Sequence, residues 1–352
     1  MHEHAAPFPP WTAAEMAARW RANRQLLADD HRHARALVRG RPAHLKLELT
    51  NYCNLACPMC PHPQMQRAVG YMQPELFRRI IDQAAPELEF AYLHHLGESL
   101  FHGHLGELVR YGRSRGARMG LSTNATFLDG KRGRALLENG LDFLVVSLDG
   151  ASAESYEVMR PGGDFAATAA NVRAFFALRR ALPNHTQVVV QLIATAANRH
   201  EVRRFAEEWS AEGAQVMVKE ARDWAGQVSL VPLGLNARTP AARTPCKMPW
   251  TELTVLWDGA VVPCANHYER DNLLGDLTQQ SLDEIWNGPA LTRLRDAHLA
   301  DALADVRVCA TCPRLPFDHA DFIAVDQLAQ RRRNYLRTAE GGDPLLPRPG
   351  LS

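Results

Sequence analysis

Short apolar runs alternate with longer amphipathic segments through most of the chain. From residue 44 onward, six runs have the length and apolar content of strands, and the segments between them have the spacing of helices with one apolar face. The predicted strands are 45–49, 90–95, 118–122, 143–148, 188–195 and 216–220. The predicted helices are 74–84, 105–114, 131–139, 165–180 and 201–212. This alternation predicts an α/β fold with a parallel sheet and outer helices, and six strands fit a partial (β/α)6 barrel of the TIM type.

The regions that flank this alternation have a different pattern. A capping-box signature that begins at Thr12 predicts a helix to about residue 37. After the barrel, an Asp258-Gly259 turn predicts a β-hairpin, and a second capping box at Ser281 predicts a short helix. The predicted organisation is therefore a helical extension (1–43), the barrel (44–226), a Pro-, Gly- and Asn-rich linker (227–244), a small C-terminal domain (245–316) and a tail (317–352).

Composition narrows the choice of partners. Of 352 residues, 46% are hydrophobic and 22% are charged, and the formal net charge is +1. This balance gives no reason to expect binding to nucleic acid or to a membrane surface. The first residues lack the basic and then apolar order of an export signal, and no apolar stretch approaches the roughly 20 residues that span a bilayer. We therefore expect a cytoplasmic protein.

Three cysteines follow the first predicted strand directly. Cys53, Cys57 and Cys60 have the spacing C-x3-C-x2-C, at the strand end where barrel enzymes carry their chemistry. Three thiolates can hold only three irons of a cubic 4Fe–4S cluster, so the fourth iron is open to a small molecule. A cluster that only carries electrons would normally be closed by a fourth cysteine. The spacing therefore indicates a reactive cluster.

Four further cysteines lie in the last third of the chain. Cys246, Cys264, Cys309 and Cys312 suffice to close a second 4Fe–4S cluster, and the total of seven then leaves no remainder. The odd total and the expected reducing compartment argue against a disulfide framework. A zinc site built from these four thiols stays open as an alternative.

The first cysteine motif resembles that of the radical S-adenosylmethionine (radical SAM) enzymes. The resemblance implies that the open iron binds SAM, that an electron from a donor such as flavodoxin or ferredoxin cleaves it, and that the 5′-deoxyadenosyl radical abstracts hydrogen from a substrate. The later order of cysteine, hairpin, cysteine, helix and Cys-x2-Cys resembles the auxiliary-cluster domain called twitch, a shortened SPASM domain. The implied cofactors are SAM and two 4Fe–4S clusters, one of them auxiliary.

The family's Gly-Gly-Glu-Pro motif is only partly present after the second strand. Here the run reads Leu96-Gly97-Glu98-Ser99, so Gly97 and Glu98 are retained. The resemblance implies that Glu98 accepts a charge-assisted hydrogen bond from the SAM ammonium group. The alternative for Glu98 is a surface carboxylate in a loop.

Three further segments resemble SAM-binding motifs of the family. Ser122 and Asn124 follow the third strand, where the family positions the SAM carboxylate or ribose. Ser147 and Asp149 follow the fourth strand and match a ribose-binding motif, and Arg160 resembles an arginine that reaches the SAM carboxylate. Short polar residues at strand ends also serve as helix caps, which is the structural alternative.

The twitch resemblance implies oxidation of an alcohol to a ketone, with the auxiliary cluster as electron acceptor. Such a reaction needs a base, and the region after the sixth strand offers Glu220 and Asp223, with Arg222 to orient a substrate anion. His94 and His95 end the second predicted strand. Because side chains alternate along a strand, we expect one of the two to face the barrel interior.

The substrate class is set by the resemblance and by the cysteine count. Twitch-type members imply a carbohydrate, aminocyclitol or nucleoside in specialised metabolism such as antibiotic biosynthesis. A uronic-acid decarboxylase is an alternative, because Lys219 or Arg222 could hold a carboxylate. An epimerase is disfavoured because no cysteine is left to return hydrogen. A ribosomal peptide maturase is disfavoured by the short N-terminal extension and the single auxiliary cluster, and an electron carrier by the open three-cysteine site.

Overall fold

The computed structural model describes residues 11–235 and 245–312. The strands are β1 (His44–Leu47), β2 (Phe90–Tyr92), β3 (Arg118–Thr123), β4 (Phe143–Ser147), β5 (Gln187–Ala194), β6 (Gln215–Glu220), β7 (Glu252–Val255), β8 (Ala260–Val262) and β9 (Gly275–Asp276). The helices are α1 (Ala13–Arg32), α2 (Pro74–Ala84), α3 (Leu105–Ser114), α4 (Gly130–Glu138), α5 (Ala153–Met159), α6 (Phe165–Ala181), α7 (Val202–Ala211), α8 (Met248–Thr251), α9 (Leu282–Trp286), α10 (Pro289–Leu299) and α11 (Arg307–Thr311).

The alternating barrel is confirmed. Strands β1 to β6 lie side by side in chain order, and each pairs parallel with the next. The five predicted connecting helices form within one or two residues of their expected bounds. The short helix α5 was not expected. It begins after Ser152, whose side chain accepts a hydrogen bond from the backbone N–H of Ser155, as an N-cap residue does.

The inward faces of the strands change character along their length. Near the strand starts, Phe143, Val145 and Val189 form an apolar cluster against Phe90 and Met217. Polar side chains follow toward the carboxyl ends of the same strands. Because side chains of period two share one face of a strand, the apolar cluster closes one end of the barrel and leaves a polar opening at the other.

The C-terminal hairpin continues the barrel sheet, which the sequence pattern did not indicate. Strand β7 pairs parallel with β1, from His44 beside Glu252 to Leu47 beside Val255, and β8 and β9 then add antiparallel. One nine-stranded sheet results, in the order β6-β5-β4-β3-β2-β1-β7-β8-β9. The expected C-terminal domain therefore shares hydrogen bonds with the first barrel strand.

Helix α1 begins at its expected capping box and ends earlier than expected, at Arg32 rather than near residue 37. The reason lies in the buried carboxylate of Asp30. It accepts a hydrogen bond from the Arg35 guanidinium at 3.0 Å and from the backbone N–H of Arg39 at 2.7 Å. These contacts draw the following residues back across the helix end, so the helix cannot continue.

Part of the expected linker packs on the barrel. Val228, Leu230 and Leu233 are buried in a cluster that also contains Leu55 and Met59 of the loop after β1. This stretch therefore supports the first cysteine motif, and residues 236–244 lie outside the described residues. None of the helices in the described ranges combines the length and apolar character needed to cross a bilayer.

Candidate functional site

A cavity of 460 Å³ opens at the carboxyl ends of the barrel strands. It is lined by the loop after β1, by the ends of β2 to β6, and by the turn that follows Cys264. The lining residues include Cys53, Cys57, Cys60, Tyr92, His94, His95, Gly97, Glu98, Ser122, Asn124, Ser147, Arg160, Gln191, Lys219, Glu220, Arg222, Ala265 and Asn266. The cavity therefore brings together most of the site residues expected in the barrel, and two residues of the C-terminal region also line it.

The three thiols of the loop at residues 53–60 (the three-cysteine loop) all line this cavity. Burial raises the pKa of Cys53 to about 11 and that of Cys60 to about 12. Thiols with such values stay protonated in water at neutral pH, and a bound metal centre is what drives a ligating thiol to lose its proton. The loop therefore favours a metal centre over a free nucleophile.

Polar donors already face two of these sulfurs. The Arg160 guanidinium lies 3.4 Å from Sγ of Cys57, and the Asn124 amide nitrogen lies 3.8 Å from Sγ of Cys53. Donors directed at thiolate sulfurs are the outer contacts that orient cluster ligands and tune their potential. In the described residues, no three His, Cys, Asp or Glu side chains converge on a single-ion site. The thiolates of a cubic cluster bind separate irons, and the three-cysteine loop fits that chemistry.

Glu98 lines the cavity, and its carboxylate is already strongly engaged. It is buried and accepts hydrogen bonds from the N–H of Leu100 at 3.1 Å, the Thr123 hydroxyl at 2.8 Å and the N–H of Asn124 at 2.7 Å. Burial raises the pKa of Glu98, although these donors act in the opposite direction. A carboxylate has about four acceptor positions, so about one remains for a ligand. The surface alternative for Glu98 is wrong.

Gly97 is required by the close approach of two loops. Its φ is +81°, and a Cβ atom there would lie 2.3 Å from the carbonyl oxygen of Thr50. Thr50 lies three positions before Cys53, the first residue of the three-cysteine loop. A larger side chain at position 97 would therefore push this loop away from the end of β2.

Arg160 and Asp149 form a buried ion pair. Asp149 also accepts a hydrogen bond from the N–H of Ile193 at 2.6 Å, and it does not line the cavity. Burial lowers the pKa of Arg160, but the charges of Asp149 and Cys57 outweigh burial and raise it. The expectation that Asp149 faces ribose is therefore not what the structure shows. Asp149 holds Arg160 in place beside Cys57.

The other expected SAM contacts meet at neighbouring strand ends. The hydroxyl oxygens of Ser122 and Ser147 lie 3.3 Å apart, and both residues line the cavity. The Asn124 amide donates to the side-chain oxygen of Asn54 in the three-cysteine loop at 3.0 Å. These hydroxyl and amide groups can form hydrogen bonds with a ligand that carries hydroxyl and carboxylate groups. Their role toward SAM stays a prediction.

The expected catalytic residues are only partly brought together. Glu220 and Arg222 line the cavity, and Asp223 does not. His94 and His95 both line it, whereas strand alternation predicts that one of the two faces the interior. The reason is that β2 ends at Tyr92, and the alternation of a strand no longer applies to the two histidines.

The second group of cysteines adjoins the same cavity. Burial raises the pKa of Cys264 well above its ordinary value, and the neighbouring Cys246 and Cys309 add to the effect. In the turn at residues 264–267 (the Cys264 turn), Asn266 lies 3.7 Å from Sγ of Cys312, and His267 lies 3.6 Å from Sγ of Cys309. Ala265 and Asn266 line the cavity, so this turn connects the cavity to the C-terminal thiols.

A buried charged group that sequence reasoning missed lies beside this turn. Glu48 accepts hydrogen bonds from two nitrogens of Arg67 at 2.9 and 2.7 Å, and one from His95 at 3.1 Å. The other ring nitrogen of His95, Nε2, lies 2.9 Å from the carbonyl oxygen of Ala265. Burial alone would raise the pKa of Glu48, but His95 and Arg67 lower it to about 2. The one sequence signal was the alternation of charged Lys46 and Glu48 with the leucines of the first predicted strand.

Two family models match the chain in the regions just described. The model of the radical SAM superfamily matches residues 47–206, and the SPASM model of an iron–sulfur cluster-binding domain matches residues 246–313. Together they cover more than half of the chain. The chain belongs to the radical SAM superfamily.

This radical SAM enzyme therefore uses SAM and a 4Fe–4S cluster, and its SPASM domain carries an auxiliary iron–sulfur cluster. The matched ranges contain the three-cysteine loop and all four C-terminal cysteines. They also include the Cys264 turn, which joins the two groups of thiols at the cavity.

Among similar curated proteins is a "tungsten-containing aldehyde ferredoxin oxidoreductase cofactor-modifying protein" of Pyrococcus furiosus. It is 26% identical over 295 residues, which cover 72% of this chain and 83% of that protein. A PqqA peptide cyclase of Streptomyces rochei is 27% identical over 313 residues, covering 80% of this chain and 84% of the cyclase. The radical SAM chain thus spans most of the length of both relatives.

Solved structures share the fold at lower identity. BtrN in complex with AdoMet and 2-DOIA is 19% identical, with a TM-score of 0.55 over 78% of this chain and 94% of BtrN. Streptococcus suis SuiB bound to its precursor peptide SuiA is 13% identical, with a TM-score of 0.61 over 77% of this chain and 70% of SuiB. These likenesses establish the shared fold of the radical SAM and SPASM regions.

Proposed function

We propose that this radical SAM enzyme oxidises an alcohol of a small, sugar-like molecule to a ketone, with the auxiliary cluster as electron acceptor. One observation carries the proposal. One cavity is lined both by the three-cysteine loop and by the Cys264 turn, and that turn contacts Cys309 and Cys312. A molecule in this cavity would contact the three-cysteine loop and the turn that adjoins the C-terminal thiols.

The cavity suits a small polar substrate. Its volume of 460 Å³ falls within the range of small-molecule sites, and SAM must occupy part of it. Tyr92 and Gln191 supply a hydroxyl and an amide group to the cavity lining. Such groups pair with substrate hydroxyls, as a carbohydrate, aminocyclitol or nucleoside would offer.

The chain supplies residues that would bind each cofactor and a base that would accept the hydroxyl proton of the substrate. We propose that Cys53, Cys57 and Cys60 hold the cluster, and that Gly97, Glu98, Asn124 and Arg160 border SAM. With these cofactors bound, the site supplies a radical that removes one hydrogen atom from the carbinol carbon.

The remaining hydroxyl proton and one electron must then leave the substrate together. We assign the proton to Glu220, because it lines the cavity whereas Asp223 does not. An auxiliary cluster held by the four C-terminal cysteines would accept the electron as the carbon–oxygen double bond forms, and the product would be lighter by two hydrogens. We propose that Arg222, which also lines the cavity, orients an anionic substrate group.

The test uses cluster-loaded protein with SAM, a chemical reductant and a panel of sugars, aminocyclitols and nucleosides. Mass spectrometry should show 5′-deoxyadenosine and a product two hydrogens lighter. Deuterium placed on the carbinol carbon should move into 5′-deoxyadenosine. Glu220→Gln should lower product formation, while the matched Asp223→Asn variant should not. Equal activity of both variants would contradict the assignment of Glu220.

A second candidate follows from the names of the curated relatives. One is a peptide cyclase and another a cofactor-modifying protein, so a peptide or an organic cofactor is the competing substrate class. Lys219 and Arg222 line the cavity and could bind a substrate carboxylate. Decarboxylation of such a substrate is therefore a further alternative. A product that has lost CO2, or a cross-linked peptide, would replace the dehydrogenation. We further propose a cytoplasmic flavodoxin or ferredoxin as the physiological electron donor.

A further inference from the structure

His95 connects the cavity to the Cys264 turn through two hydrogen bonds. Its Nδ1 lies 3.1 Å from Oε1 of Glu48, and its Nε2 lies 2.9 Å from the carbonyl oxygen of Ala265. The side chains of His95 and Glu48 are fully buried. Ala265 follows Cys264 directly and lines the cavity together with His95.

These two partners determine the protonation of the ring. A carbonyl oxygen can only accept a hydrogen bond, and an ionised carboxylate can only accept as well. Glu48 is ionised, because Arg67 donates to both of its oxygens. For both contacts to be hydrogen bonds, each ring nitrogen of His95 must carry a proton, as in an imidazolium cation.

The group around Glu48 carries one excess positive charge. Arg67 and His95 are two cations, and Glu48 is the single carboxylate that they share. The nearby Lys46 ammonium is paired with Glu252 at 3.1 Å, and its positive charge also acts on the Cys264 thiol. Fixed charges act more strongly in a buried environment than at the surface, because the effective dielectric constant is lower.

We propose that His95 is a positioning residue that holds this fixed positive charge beside the auxiliary cluster and thereby raises the cluster's reduction potential. Reduction adds negative charge to a cluster, so a nearby cation stabilises the reduced state more than the oxidised one. The hydrogen bond to Ala265 also fixes the Cys264 turn, whose Asn266 contacts Cys312. The relevance of this charge rests on the proposed function, in which the cluster takes an electron from the substrate.

The test is a redox titration of both clusters in the cluster-loaded enzyme without substrate. Electron paramagnetic resonance detects the reduction of each cluster. His95→Gln keeps a donor for Ala265 and removes the charge, whereas His95→Lys keeps the charge. The matched control is His102→Gln. His102 is buried and pairs with the Met72 carbonyl at 2.9 Å, but its Nδ1 accepts from the N–H of His104, so it is neutral.

We expect His95→Gln to shift the auxiliary cluster to lower potential, with a smaller shift in His95→Lys and none in His102→Gln. An auxiliary potential in His95→Gln equal to that of the parent, at full iron content, would overturn the proposal. Equal shifts in His95→Gln and His95→Lys would do the same. Because no substrate is present, this result is separate from the identity of the reaction.

A second measurement covers the case in which the His95 variants lose the cluster. Nitrogen-15 NMR of the parent enzyme with labelled histidine reports the ring protonation directly. We expect one histidine with two protonated ring nitrogens that exchange slowly with water, as a buried imidazolium does. A spectrum in which every buried histidine is a neutral tautomer would overturn the proposal.

Discussion

Replacing Glu48 by Gln tests whether the buried charges around it stabilise the fold. Oε1 accepts from Arg67 and His95, and Oε2 accepts from Arg67 and the N–H of Trp257 at 3.3 Å. Gln keeps only one of these oxygens. The other position becomes an NH2 group that faces donors, and two buried cations lose their counter-charge.

The expected loss of stability follows from these contacts. At least two hydrogen bonds that involve charged groups disappear, each contributing roughly 1.5–3 kcal/mol. Removal of one partner from a buried ion pair generally costs about 3–5 kcal/mol, because the remaining charge stays buried. We therefore expect Glu48→Gln to lower the free energy of unfolding by about 3–5 kcal/mol.

The assay is urea unfolding followed by circular dichroism, with equal iron content in all samples. The matched control is Glu75→Gln, because Glu75 has one ion pair with Arg78 at 3.3 Å and its side chain is 77% exposed. Exposed pairs of this kind contribute about 0–1 kcal/mol. A loss in Glu48→Gln no larger than in Glu75→Gln would refute the reasoning.

The contribution of Glu48 to the free energy of unfolding should also depend on pH. Its pKa is lowered from 4.5 to about 2 in the folded protein. A carboxylate with a lowered pKa contributes its full stabilisation above about pH 4.5 and loses it as the pH falls toward 2. The difference in unfolding free energy between parent and Glu48→Gln should therefore shrink below about pH 4.5, and a difference that grows in acid would contradict this sign.

Two further predictions concern the cofactor sites. Glu98→Gln should weaken SAM binding by roughly 1.5–3 kcal/mol, through loss of a charge-assisted hydrogen bond, as measured by equilibrium binding. The control is Glu107→Gln, on the outer helix α3. If Glu98→Gln bound SAM as tightly as this control, Glu98 would not be a SAM contact. A folded Cys309→Ala/Cys312→Ala variant should keep SAM cleavage and lower the ratio of product to 5′-deoxyadenosine. A ratio equal to the parent's would make the auxiliary cluster purely structural.

Local periodicity was enough to predict the barrel. Strand-length apolar runs and helix-spaced segments depend only on neighbours a few residues apart. The order of strands and helices that they predict is therefore the order in the structure. The parallel pairing of β7 with β1 joins residues about two hundred positions apart, such as Leu45 and Leu253. No local pattern encodes that pairing, because an isolated hairpin signal is the same at a sheet edge or in a separate domain.

The cysteine spacing indicated the cluster sites, whereas the partners of the charged residues could not be predicted. Glu98 and Asp149 each occupy a position known from the family, but the structure shows their oxygens already bonded to backbone N–H groups. The pairing of Glu48 with His95 depends on how β1 and the end of β2 meet in space. Such contacts arise from tertiary packing, to which the sequence pattern gives no direct access.

The central claim is that the three-cysteine loop is the site of SAM cleavage and that the C-terminal cysteines hold a separate cluster. The most direct measurement compares iron content and 5′-deoxyadenosine formation in the parent and in a Cys53→Ala/Cys57→Ala/Cys60→Ala variant. We predict about eight irons and SAM cleavage in the parent, and about four irons with no cleavage in the variant. A variant that still forms 5′-deoxyadenosine, or that loses all of its iron while remaining folded, would contradict the account.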